Sequence, residues 1–116
     1  MALSNALFDT MLDAAAERAT TASLHTADPG SNGASEVTGG SYARQAVTWQ
    51  SASGGAVEAS ATISFPVPGG TTVTHLGLWD DTDTWLGGIQ LSQSETYGAD
   101  GTYEVTTLRL TAANAA

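Results

Sequence analysis

From Ala56 to Val67 the chain alternates. Val57, Ala59, Ala61, Ile63, Phe65 and Val67 are apolar, and Glu58, Ser60, Thr62, Ser64 and Pro66 fall between them. A period of two marks a strand with one buried and one wet face. A helix would scatter the same apolar residues around its surface. Pro66 donates no backbone hydrogen bond, so this strand is expected to lie at a sheet edge or to end near there. Val67-Pro68-Gly69-Gly70 follows. It suits a type II turn with Gly69 at positive φ, after which the chain doubles back into Thr71 to Asp80 and the two strands pair.

The N-terminal pattern is helical. From Met1 to about Arg18, Leu7, Met11, Leu12 and Ala15 form one stripe, and Asp9, Asp13 and Glu17 line another face. Ser4 is placed to cap the helix, with Leu3 and Phe8 as a hydrophobic staple. β-Branched Thr20-Thr21 ends it. Such a helix either packs on its own domain or serves as an arm on a neighbouring subunit. Leu3, Leu7, Phe8 and Met11 are then the candidate interface residues.

Short strands fill the remainder. Ala22 to Ala27 is one, broken by Asp28-Pro29-Gly30 and a loop to Ser35. Glu36 to Thr38 extends briefly before a bend at Gly39-Gly40. Ser41 to Ser51 carries a strand with Val47 and Trp49 on one face, and Gly54-Gly55 closes a hairpin back to Ala56. In Thr71 to Asp80, Leu76 and Leu78 share one face, and Val73, His75 and Trp79 the other. Apolar residues on both faces predict a central, doubly covered strand. An acidic turn, Asp80 to Thr84, leads into Trp85 to Leu91, where Gly87-Gly88 suggests a bulge. Asp100-Gly101 signals a hairpin between Tyr97 and Tyr103, and Tyr103 to Ala112 is the last strand. The fold predicted is mainly β: a single antiparallel sandwich of about seven to eight strands preceded by an amphipathic helix. Its parts are a helical arm (1–20), the sandwich (21–112) and a short tail (113–116).

Charge narrows the partners. Three arginines and no lysine stand against twelve acids in 116 residues, a net charge of −9. That surface repels phosphate, so neither nucleic acid nor an anionic membrane is expected as a partner. No apolar run approaches the roughly 20 residues of a membrane-spanning helix. The N-terminus has no basic region of the kind that opens a secretory leader. With no cysteine, there is no disulfide framework.

Candidate chemistry is sparse. His25 and His75 lie in strands, with no G-x-S-x-G elbow to organise a nucleophile. Asp80, Asp81 and Asp83 are the best metal candidates. Their spacing lacks the glycine and terminal glutamate of an EF-hand loop, and aspartate is an ordinary turn residue. No catalytic residue, cofactor or metal is therefore expected. Trp49, Trp79, Trp85 and the tyrosines would form a sugar platform if exposed together, but on sandwich strands such residues more often build core or subunit interface. Arg44, in Tyr42-Ala43-Arg44-Gln45, is expected to pair with a carboxylate.

Four segments, taken together, carry a resemblance: Ser23 to Gly30 (SLHTADPG), Glu36 to Gln45 (EVTGGSYARQ), Phe65 to Gly69 (FPVPG) and His75 to Asp80 (HLGLWD). The series resembles a family of small tailed-bacteriophage virion proteins commonly labelled phage tail fibre protein, with look-alikes among head decoration and head-spike components. The resemblance spans about Leu24 to Leu110. It implies a structural β-domain that assembles on a particle, with no catalytic residues to carry over. The chain has none of the length, repeats or coiled coil of a fibre shaft. The expectation is a non-enzymatic virion protein, a capsid decoration or head-spike or fibre-base subunit. Its partners would be copies of itself and other capsid or tail proteins, with Tyr42, Arg44, Trp79 and Trp85 joining the helix as interface candidates. The alternatives are a tail or tail-fibre component aiding host adsorption, with a host surface glycan as ligand, and a free carbohydrate-binding module. A small hydrolase ranks last.

Overall fold

A computed structural model describes residues 3–112. The proposed tail, 113–116, and the first two residues of the helical stretch lie outside the described residues. One helix, α1 (Asn5–Arg18), precedes eight strands. These are β1 (Thr21–His25), β2 (Gln45–Ala46), β3 (Ala56–Glu58), β4 (Ile63–Val67), β5 (Thr71–Trp79), β6 (Trp85–Tyr97), β7 (Gly101–Val105) and β8 (Arg109–Thr111). All strand pairings are antiparallel. The arrangement is sandwich-like. A four-stranded sheet, in the order β2-β1-β5-β6, is covered by two ribbons, β4-β7 and β3-β8.

The core lies between these layers. Ala22, Leu24, Leu76 and Leu78 of the large sheet meet Ile63, Phe65 and Val67 of β4 and Val105 of β7. Alternation along β4 is as the sequence predicts, with Ile63, Phe65 and Val67 buried, whereas in β3 both Ala56 and Val57 are buried. The long strand is interrupted, however. Ala61 is exposed, and the chain breaks between Glu58 and Ile63 to pass from the β8 partner to the β7 partner.

Three expectations about pairing are corrected. β4 pairs with β7, and β5 pairs with β1 and β6, so the strands flanking Pro68 do not pair with each other. The Pro68 turn carries the chain from one layer to the other. The residue at positive φ there is Gly70, at +83°; Gly69 is instead crowded, since a Cβ on it would lie 2.9 Å from the Ala99 Cα. Likewise the Asp100-Gly101 turn does not fold β7 back onto β6; it carries the chain across to β4. Ser41 to Ser51 contributes only the two-residue β2 and a Trp49–Ala59 bridge, while Gly54-Gly55 does make the tight turn between Ser53 and Ala56. The last strand is two strands, β7 and β8. β6 runs six residues past Leu91.

β5 is central and covered on both sides. Its second cover is a loop. Ser23 and His25 of β1 lie across from Gly77 and His75 of β5, and the 26–44 segment closes over this face. The β5–β6 pairing shifts register between Val73 and His75, where Leu91 to Ser94 of β6 stand against Thr74 alone; Val73 therefore joins the same apolar cluster as Leu76 and Leu78 instead of sharing the His75 face as expected. A second register shift between Leu78 and Trp79 leaves Leu86 unpaired beside Gly87, the bulge expected there.

In α1, Ser4 accepts a hydrogen bond from the Leu7 amide and caps the helix as predicted. The buried stripe is Phe8, Leu12 and Ala16. Leu12 and Ala16 pack on Val57 of β3, with Trp49 and Leu110 alongside. Asp9 and Asp13 accept hydrogen bonds from the Gly55 and Ala52 amides, both 2.8 Å. The helix is therefore seated on its own β-layer.

Candidate assembly surface

Seating α1 through Phe8, Leu12 and Ala16 turns the neighbouring stripe outward. Leu7 and Met11 are 43% and 50% exposed, and Leu3 is 45% exposed. Leu86, at the β6 bulge, is the other large apolar residue left open among the described residues. Between the C-terminal half of α1 and the start of β6 runs a groove of about 400 Å³, lined by Ala15, Ala19, Leu78, Leu86, Ile89 and Leu110. Arg18 stands at its edge. Of the predicted helix candidates, Leu3, Leu7 and Met11 thus lie on the surface. Phe8 does not: only 4% exposed, it is spent inside the chain.

The other four candidates, Tyr42, Arg44, Trp79 and Trp85, gather in one cluster in which Trp79 is buried and the other three are half-buried. Arg44 makes a forked pair with Glu36, Nε to Oε2 at 3.0 Å and Nη2 to Oε1 at 2.9 Å. Its guanidinium lies 3.7 Å from the centre of the Trp79 ring, a cation–π contact. Burial pushes the Glu36 carboxyl up, but hydrogen bonds from Arg44 and Tyr42 more than offset it and hold the group below its ordinary value. The Tyr42 hydroxyl donates to Glu36 and accepts from the Leu24 amide, each at 2.9 Å, and its ring stacks on Phe65. Burial, first of all, raises the Tyr42 phenol far above its usual value. The cluster works as a strut that ties the 26–44 segment to β1 and β5.

Beneath the strut lies a buried polar chain. The His25 Nδ1 is 2.8 Å from the Ala34 carbonyl, which only accepts, so Nδ1 carries the proton. Nε2 then accepts from the Ser23 hydroxyl at 2.7 Å, and Ser23 Oγ accepts from Trp79 Nε1–H at 2.8 Å. This is a histidine within reach of a hydroxyl, the geometry a hydrolase needs. Yet Ser23 and His25 are both fully buried, with Trp85 edge-on against the imidazole. A substrate has no path to the pair. Sequence reading missed it, although Ser-x-His on a strand puts both side chains on one face.

The acidic turn is a built cap. Asp80 Oδ1 accepts from the Thr82 amide, the Thr82 hydroxyl and the Thr84 amide, and Oδ2 accepts from Arg18 at 2.9 Å. The Thr84 amide, Arg18 and Thr82 hold its carboxyl well below the usual carboxylate range. Asp81 is exposed, and Asp83 reaches Arg44 at 3.5 Å. Among the described residues no group of three possible ligands comes together to hold a metal. No tryptophan or tyrosine is fully exposed. Trp79 is buried, and Trp49, Trp85 and the three tyrosines are half-buried.

Among the described residues, the large apolar side chains left exposed lie along α1 and at the β6 bulge. No curated protein and no solved structure matches the chain. The family described as "Podophage GP4 fiber I protein gp80" matches residues 1–113, nearly the whole sequence. The chain therefore belongs to this fiber protein family, and it is a structural component of a bacteriophage virion.

Proposed function

We propose that this chain is a non-enzymatic subunit at the base of the fibre, which seats on another virion protein through the outward face of α1. The observation that carries this reading is the division of the helix. One stripe, Phe8, Leu12 and Ala16, anchors it to its own β-layer, while Leu7 and Met11 stay half exposed beside an apolar groove. Large apolar residues grouped on a surface mark interaction sites more often than scattered ones do. The compact β-domain, without shaft repeats, suits a base or connector. A capsid decoration role would use the same face, and copy number per particle separates the two. The buried state of Ser23 and His25 supports the non-enzymatic reading.

The test is co-sedimentation of the purified chain with virions that lack it. Leu7→Gln/Met11→Gln keeps good helix formers at both positions and removes the apolar stripe. The wild-type chain should bind saturably. The double variant should melt within about 2 °C of wild type, since exposed positions change stability little, and should bind at least about tenfold more weakly. Equal binding by both chains would overturn the proposal.

A further inference from the structure

We propose that a polar groove on the far flank of α1 takes an arginine side chain of the virion protein on which the chain seats. The inference rests on the docking reading above and names the partner's chemistry. Two grooves border the helix, one on each flank of its buried stripe. The first is the apolar one at Ala15, Arg18 and Ala19. The second, of about 430 Å³, runs between α1 and the segment that leads from β2 to β3. Asp13 and Glu17 wall it on the helix side, and Thr48, Trp49 and Gln50 on the other. A protein lying on the outward face of α1 reaches both.

The second groove offers acceptors and an aromatic ring. Asp13 uses Oδ1 on the Ala52 amide, at 2.8 Å, which fixes the side chain and leaves Oδ2 for a ligand. Glu17 is exposed, four residues on and on the same side of the helix. Trp49 spends its indole N–H on the Ala19 carbonyl, 2.8 Å away, so it gives the groove aromatic surface alone. This lining selects a cation that is rich in N–H donors and can lie on a ring. A guanidinium has five such donors and no acceptor, and it stacks on tryptophan. The chain makes the same combination inside itself, where Arg44 is forked onto Glu36 and lies 3.7 Å from the Trp79 ring centre. It has no arginine to spare for the groove. Arg18 is paired with Asp80 at 2.9 Å, Arg44 with Glu36 at 2.9 Å and Arg109 with Glu58 at 3.8 Å, and there is no lysine. A second copy brings the same three paired arginines, so the cation comes from a different protein.

Co-sedimentation with virions that lack the chain tests this when it is run from low to high salt. Wild-type binding should weaken as salt rises. Glu17→Arg should bind at least about tenfold more weakly at low salt. Glu17→Gln should bind more weakly than wild type and with a flatter salt dependence. Both variants keep good helix formers at an exposed position and should melt within about 2 °C of wild type. Glu104→Arg makes the same change of net charge at an exposed site on the β4–β7 ribbon and should bind as wild type does. Binding indifferent to salt and to Glu17→Arg, yet lost in Leu7→Gln/Met11→Gln, would overturn this proposal and leave the docking reading standing. Indifference to all of these variants, or no binding by wild type, would remove both. An equal loss in Glu104→Arg would trace the effect to overall charge and overturn the groove. Self-association of the chain that Glu17→Arg abolishes would give the groove to a second copy, and would overturn it too.

Discussion

Gly77→Ala probes how tightly the outer face of the sheet is built. A Cβ on Gly77 would lie 2.4 Å from Trp85 Cζ3, 2.6 Å from Ser23 Oγ and 2.7 Å from His25 Nε2. None of these neighbours can yield freely. Ser23 is held by Trp79, His25 by the Ala34 carbonyl, and Trp85 by edge contacts to His25 and Trp79 with ring centres 5.4 and 5.0 Å apart. Overpacking a rigid site costs about 1–3 kcal/mol. Parting Ser23 from His25 leaves a buried polar atom unpaired and adds about 1–3 kcal/mol. The expected loss is therefore about 2–6 kcal/mol. At about 2.1 cal/mol/K of unfolding entropy per residue, this lowers Tm by about 8–25 °C for a chain of this length. Scanning calorimetry reads the shift, and near-ultraviolet circular dichroism reads the displaced tryptophans. A Tm within about 3 °C of wild type would refute the packing argument.

Phe65, fully buried and stacked on Tyr42, should cost about 3–5 kcal/mol when changed to alanine, read by denaturant titration. Gly69→Ala should destabilise by about 1–3 kcal/mol, because its Cβ meets the Ala99 backbone; unchanged melting would show that the turn can shift. His25 gives the chain a pH dependence. Burial lowers its pKa from the ordinary 6.5, so below that pH the unfolded chain takes up a proton that the folded chain refuses. Stability should fall as pH drops from about 6.5 towards 5, at up to about 1.4 kcal/mol per unit. Glu36 and Asp80 act lower: their depressed values preserve stability above the ordinary 4.5 and 3.8, and it is lost only as pH falls through the folded values. Thermal melts of wild type and His25→Gln across pH 5–8 check this, and the variant should show a flatter profile.

Local pattern made the elements legible. The alternation of Val57, Ile63, Phe65 and Val67 identifies buried strand positions, and Ser4 identifies the helix start. Pairing was not legible. Pro68-Gly69 looks like a hairpin turn, yet the partner of Phe65 is Tyr103, nearly forty residues on, because the turn crosses between layers. The helix offers two stripes at acceptable spacing. Only the position of Val57 and Trp49 decides that Phe8, Leu12 and Ala16 point inward, leaving Leu7 and Met11 outside. The pairing of Arg44 with a carboxylate was foreseeable from its rarity as a cation. That it would also lie on Trp79, sealing that candidate inside, depends on a contact between segments 35 residues apart in sequence.

We propose that this chain, a structural part of the particle, sits at the base of the fibre. The most direct test is electron microscopy of intact virions carrying the chain with a density label at its C-terminus. Label is expected at the points where fibres join the particle. Label spread over the capsid faces, or along the fibre shaft and away from its base, would contradict it.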